Sequence, residues 1–266
     1  MSVLTFSRTG SGQPLVLLHG LGSHRGAWDA VVPALAGRFD VIAVDLPGFG
    51  ESPPLPAGTE PTPAALAAAV ADLLDELGIE RAHLAGNSLG GWVALELARL
   101  RPVASVALLS PAGLWPASSP VYNRISLRAT RWLCQHLEHP LRAVVRFRIA
   151  RSLALAQIFG RPGRMTPQQA RDAISNMGRC PGFPPAERAI AHRHYRSAEP
   201  IGAPVTVAFG SRDRLLLHRS RHVEQLPAGT AVAALPGCGH VPMTDDPAAV
   251  AALLAAAASR APSTMD

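Results

Sequence analysis

A serine set between glycines, Gly86-Asn87-Ser88-Leu89-Gly90, is the first group in this chain that could do covalent chemistry. The G-x-S-x-G spacing has a steric logic. A serine on a tight strand-to-helix turn needs small neighbours two residues away on each side, so that adjoining backbone can close in. The apolar stretch at His83–Ala85 and the helical pattern from Leu89 to Arg99 supply that strand and that helix. Gly91 and Ala94 extend the small surface along the helix. A serine here could equally cap the helix, because N-cap positions favour serine. The motif alone leaves both roles open.

A serine hydroxyl is a poor nucleophile at neutral pH and needs a base, and the base needs a partner that orients it. Around an elbow of this kind the chain order is serine, then acid, then histidine. His240 suits the last place, in the glycine-rich Gly237-Cys238-Gly239-His240 after an apolar run. Asp213 suits the middle place, in Gly210-Ser211-Arg212-Asp213 after Val205–Phe209. Asp245 and Asp246 read as helix caps, and the strand Val103–Leu109 ends in Ser110-Pro111 with no competing carboxylate. Acyl transfer also needs two donors for the tetrahedral oxyanion. The expected pair is the backbone N–H of Leu89, directly after the serine, and of Leu21 in His19-Gly20-Leu21-Gly22. His19 itself reads as a structural histidine that shapes this loop.

Other polar residues point to less. His218 and His222 have metal-pair spacing but no third ligand, and read as a solvated helix face. His136, His139, His192 and His194 read the same way, so no metal site is expected. Of the four tryptophans, Trp92 reads as core, and Trp115 is the candidate for a substrate pocket.

The elements that must carry these groups alternate. Leu15–Leu18, Val41–Val44, His83–Ala85, Val103–Leu109, Val205–Phe209 and Thr230–Leu235 read as strands. Helical stretches separate them: one capped by Thr62-Pro63 and ended by Gly78, and a last one capped by Asp246-Pro247. Ser259 to Asp266 reads as a frayed tail. This rhythm predicts an α/β fold, a mostly parallel sheet with helices on both faces. From Pro111 to Pro200 it breaks. Arg-rich amphipathic segments and prolines replace strand-like runs, which predicts a helical insertion. The division expected is 1–110 and 201–266 for the core and 111–200 for a helical cap.

A chain of 266 residues, 48% hydrophobic, is long enough to fill one such domain. No apolar run is long enough to span a bilayer. The first residues lack a charged-then-apolar leader pattern. The three cysteines are odd in number and widely spaced, which speaks for a reducing compartment and a cytoplasmic location. The formal net charge is +6, every cation being arginine. Dispersed acids, and the lack of arginine interleaved with aromatics, set nucleic acid aside. The Arg-rich insertion reads as a solvated exterior, or as a surface that attracts an anionic substrate, carrier or membrane.

Taken together, Leu15-Val16-Leu17-Leu18-His19-Gly20-Leu21-Gly22, Asp45-Leu46-Pro47-Gly48-Phe49-Gly50-Glu51-Ser52, the Ser88 elbow, Gly210-Ser211-Arg212-Asp213 and Gly237-Cys238-Gly239-His240 resemble the α/β-hydrolase superfamily. The resemblance implies a sheet of about seven to eight strands, a helical cap after the sixth family strand, and no cofactor. Val3 to Ser7 leaves room for one strand before Leu15, so the first family strand is missing or very short. Serine at position 88 separates the chain from the haloalkane dehalogenase and epoxide hydrolase branches, which carry aspartate there. Asn87 is similar to the residue before the nucleophile in carbon–carbon bond hydrolases, but Val241 stands where those carry tryptophan.

The expected activity is hydrolysis of a carboxylic ester of a small or medium apolar molecule. The alternatives are a diketo-acid carbon–carbon hydrolase, a thioesterase, or a ligand receptor on the same scaffold. The expected partner is a small-molecule substrate, with no nucleic acid and no stable membrane insertion.

Overall fold

The computed structural model describes residues 4–197 and 201–261. Seven strands form one sheet in the order β1-β3-β2-β4-β5-β6-β7. They are β1 (Phe6–Thr9), β2 (Gln13–Leu18), β3 (Phe39–Val44), β4 (His83–Asn87), β5 (Ser105–Leu109), β6 (Val205–Gly210) and β7 (Ala231–Leu235). β1 pairs antiparallel with β3 at the edge, and all other pairings are parallel. β1 is the single strand expected before Leu15, and Val3 lies outside the described residues.

Side chains alternate across the sheet, and each face builds its own core. Val16, Leu18, Ile42, Val44 and Leu84 face α2 (Pro63–Glu76) and α3 (Leu89–Leu100). Leu15, Leu17, Val41, Ala43 and Ala85 face α1 (Val32–Leu35) and α10 (Pro247–Ala258). Two caps stand where the sequence predicts them. Thr62 Oγ1 accepts from Ala65 N–H at 3.1 Å with Pro63 in the first turn, and Asp246 Oδ1 accepts from Ala249 N–H at 3.1 Å.

Between β5 and β6 lie five helices: α4 (Val121–His136), α5 (Glu138–Val144), α6 (Arg148–Ala154), α7 (Pro167–Arg179) and α8 (Phe183–Ala191). Among the described residues of this segment there is no strand. The expected downstream boundary at 200/201 touches residues outside those described, as does most of the tail expected from Ser259 on. α9 (Pro242–Asp245) is a single turn between β7 and α10. In a parallel sheet every strand delivers its following loop to the same edge. The loops after β2, β4, β5, β6 and β7 therefore gather there.

Candidate active site

Ser88 sits in the turn from β4 to α3 with φ 54° and ψ −116°, one of two non-glycine residues at positive φ among the described residues. Such a conformation is strained for a side chain with a Cβ. It persists because the surroundings are closed. A Cβ on Gly86 would collide with the Gly90 carbonyl, and one on Gly90 with the Leu18 carbonyl. The Ser88 N–H donates to Leu109 O at 3.0 Å, and Ser88 O accepts from Ala112 N–H at 2.9 Å. Ser88 occupies the N-cap position of α3, yet its side chain makes no capping hydrogen bond.

Asp213 and His240 meet at the same edge, with Nδ1 of His240 3.0 Å from Oδ2 of Asp213. Oδ1 of Asp213 accepts from the N–H groups of Leu215 and Leu216, each at 2.9 Å. Burial pushes the Asp213 carboxyl up, but the charge and hydrogen bond of His240 and the Leu216 N–H outweigh it and hold the group below its ordinary value. An ionised carboxylate only accepts, so Nδ1 carries the proton and the lone pair of a neutral His240 ring lies on Nε2. Nε2 is buried with no hydrogen-bond partner among the described residues.

Both Ser88 and His240 line a cavity of about 510 Å³. Leu21, Leu89 and Trp115 line it too. Leu89 is the first residue of α3, whose early N–H groups lack intrahelical acceptors. The Leu21 loop is pressed onto the elbow, since a Cβ on Gly20 would lie 3.1 Å from Ser88 Cβ. His19 shapes this loop as expected: its ring nitrogens bond Gly20 O at 2.8 Å and Leu46 N–H at 3.0 Å. Burial lowers its pKa to about 4, so the ring is neutral near pH 7. Trp115 is anchored by its Nε1–H donating to Arg193 O at 2.6 Å and by edge contact with Trp92.

Three residues matter that the sequence did not reveal. The Asn87 amide donates to Leu109 O at 2.9 Å and to His240 O at 2.8 Å, tying the histidine loop to β5. Asp245 is not a helix cap. α9 ends at it, and its carboxylate turns back to accept the N–H groups of Gly160, Arg161 and Gly239 at 2.6–2.7 Å. Asn123 of α4 is buried in the cavity lining with Oδ1 unpartnered. A second correction concerns His218 and His222. His218 opens one 3-10 turn and His222 caps the next, so they do not share one helix face. No group of three or more His, Cys, Asp or Glu residues among the described residues could hold a metal.

Residues 15–253 match the alpha/beta hydrolase family, and the chain belongs to it. It is 32% identical over 251 residues to the dihydrolipoyllysine-residue acetyltransferase component of an acetoin cleaving system from Cupriavidus necator, covering 89% of this chain and 61% of that one. It is 34% identical over 197 residues to the epoxide hydrolase EphH of Mycobacterium tuberculosis, covering 72% and 92%. It is 34% identical over 224 residues to a pimeloyl-[acyl-carrier protein] methyl ester esterase of Methylococcus capsulatus, covering 80% and 81%. The chain spans about three fifths of the length of the acetyltransferase components it matches.

Proposed function

We propose that the chain is a serine hydrolase that cleaves a carboxylic ester of a small or medium apolar molecule through an acyl-enzyme. The observation that carries this reading is the Asp213–His240 pair, whose free Nε2 shares one cavity with a strained, uncapped Ser88. Ser88 Oγ attacks the carbonyl while His240 Nε2 takes its proton. Asp213 fixes the tautomer and stabilises the imidazolium that forms. The N–H groups of Leu21 and Leu89 hold the oxyanion. His240 then protonates the departing alcohol, and water attacks the acyl-enzyme with His240 as base.

Serine in place of a carboxylate favours this over epoxide opening, although one relative is an epoxide hydrolase. The methyl ester esterase among the relatives supports the ester. Residues 111–200 act as a cap, because α4 and α7 supply much of the cavity lining. Among the described residues no arginine lines the cavity, which favours a neutral substrate. The three buried free cysteines suit a reducing compartment, and we place the chain in the cytoplasm.

Ser88→Ala tests the reading. It should abolish fluorophosphonate labelling and lower kcat on p-nitrophenyl esters by about a thousandfold or more, with the fold intact. Retention of a tenth of wild-type turnover, a fraction that triad loss does not leave at roughly a thousandfold cost, sinks the assignment. Acyl-CoA and diketo-acid substrates in the same panel decide between ester, thioester and carbon–carbon cleavage.

A further inference from the structure

Among the described residues, ten of the twelve exposed large hydrophobic side chains fall between Val121 and Leu153. They lie on or directly at the ends of three consecutive helices, α4, α5 and α6, each in contact with the next. α4 is apolar on both sides. Its Asn123, Leu127, Thr130 and Cys134 line the cavity. At 3.6 residues per turn, the exposed Val121, Ile125 and Trp132 lie on the opposite face. A helix covering a soluble protein normally turns polar residues outward there.

The same stretch is strongly basic. Between Val121 and Leu153 the sequence has seven arginines (124, 128, 131, 142, 146, 148 and 151) and one acid, Glu138. Glu138 is already engaged by Arg142 and Arg179. Arg146 and Arg148 are exposed and form no ion pair among the described residues. They alternate with Phe147 and Ile149, which are 56% and 78% exposed, and the Arg146 guanidinium lies 4.6 Å from the Phe147 ring centroid. Cations and large apolar groups thus project from the same turn.

From this juxtaposition we infer that α4–α6 form a docking face for an anionic phospholipid surface. Phe147, Ile149 and Leu153 enter the boundary between headgroups and acyl chains, and Arg146 and Arg148 meet the phosphates. Docking is peripheral, since no described helix is long and apolar enough to cross a membrane. A twofold contact between two copies is disfavoured, because it would set this arginine-rich face against itself. The cytoplasmic leaflet carries negative charge that matches it. An apolar ester dissolved in that leaflet would lie against the helix whose other face lines the cavity.

The experiment is flotation of the full chain with vesicles of phosphatidylcholine alone, or mixed with phosphatidylglycerol, at low and high salt. Wild type should float with the anionic vesicles, bind phosphatidylcholine far less, and be released near 1 M salt, where screening shortens to about 3 Å. Joint Phe147→Ser, Ile149→Ser and Leu153→Ser should lower partitioning about tenfold or more. Joint Arg146→Gln and Arg148→Gln should lower it about fivefold per arginine. Both variants should keep the wild-type thermal midpoint and the rate on a water-soluble short ester. Ser88→Ala should float like wild type, so failure of the hydrolase reading leaves this test standing. Absent binding by wild type, or undiminished binding by both variants, overturns the inference. So does a wild-type dimer that the triple serine variant dissociates, or anionic binding replaced by capture of an acidic acyl carrier protein alone.

Discussion

The loops leaving the sheet and the helices that follow β5 meet at one cavity, yet different forces hold them. On the sheet side most of the buried polar groups are paired, with His240 Nε2 and Ser110 Oγ left without a partner among the described residues. Asp213 accepts three hydrogen bonds, the Asn87 amide donates two, Asp245 accepts three, and His19 bonds with both ring nitrogens. On the helical side α8 packs Phe183, Ala186 and Ile190 into the core beside the sheet, while the separate apolar cluster among α4, α5 and α7 is small: Cys134, Val145, Ala170 and Ile174. Much of the rest is arginine. Arg128 pairs with Glu187 at 2.8 Å and Arg179 with Glu138 at 2.9 Å, each joining an exposed guanidinium to a buried carboxylate. Arg151 is buried and donates only to backbone carbonyls, those of Val145, Arg146, Pro162 and Gly163. The difference teaches a division of labour. The loops of the sheet edge hold the proposed triad through buried hydrogen bonds, and the helices after β5 line the same cavity with a smaller share of buried polar pairing.

The largest effect that would break this contrast is on the sheet side. Asp213→Asn keeps the shape but accepts a proton less well and favours the wrong His240 tautomer. The expected loss is about 10⁴-fold in kcat with little change in KM. A loss under tenfold, where about 10⁴ is expected, would mean that another group orients His240 and that the buried network is only structural.

A second test uses pH. The folded chain holds His19 near 4 against an ordinary value of 6.5. Between these values the unfolded chain binds a proton that the folded chain refuses. Stability from this group is therefore full above pH 6.5, falls as pH drops, and levels off below about 4. The slope approaches about 1.4 kcal/mol per pH unit, for a total near 3 kcal/mol. Asp213, with its lowered pKa, contributes stability that is lost only at lower pH, below the ordinary carboxyl value of 3.8. Urea midpoints from pH 8 to 4 should show the His19 window, and His19→Asn should flatten it. An unchanged slope in that variant would show that His19 stays neutral in neither state or both.

Asn87→Ala should cost less. Leu109 O keeps the Ser88 N–H, but His240 O loses its partner. The cost of leaving one buried carbonyl unpaired is about 1–3 kcal/mol. With the histidine loop then held by the His240 N–H to Ile158 O bond at 2.8 Å, kcat should fall about tenfold, within that same energy range, with KM unchanged. A KM effect without a kcat effect would make Asn87 a substrate contact rather than a positioning residue.

The same contrast explains what the sequence could tell. The strands of the sheet announce themselves by apolar runs, and Ser88, Asp213 and His240 sit in glycine-rich turns directly after them. Local pattern was enough to propose them. Asn87 and Asp245 act across sequence, joining residues 153 and 84–85 positions away, and no local pattern marks such partners. In the insertion the helical class was readable, but not the faces. α4 carries apolar residues toward the cavity and toward solvent, so its pattern has no single stripe. A usable signal was present at α7, where Thr166 and Gln169 form a reciprocal capping box.

The smallest effect is expected from a matched pair of isoleucines, and it tests the contrast directly. Ile42 of β3 is fully buried, and Ile149 of α6 is 78% exposed. Ile42→Ala removes buried carbons and leaves a cavity in a packed layer, which should cost about 2–5 kcal/mol. Ile149→Ala removes carbons that already face water. Alanine is also the better helix former, since a β-branched side chain loses rotamer freedom against the preceding turn. The net change should therefore stay within about 0.5 kcal/mol, and its sign should favour the variant. Urea unfolding of the two variants at low protein concentration measures both values. If Ile149→Ala costs more than about 1.5 kcal/mol, well outside the range for a surface site, the side chain is covered in solution. Concentration dependence of that cost would identify the cover as a second copy. The outer face of α4–α6 would then belong to the structural core of an assembly, and the two regions would be held by the same force after all.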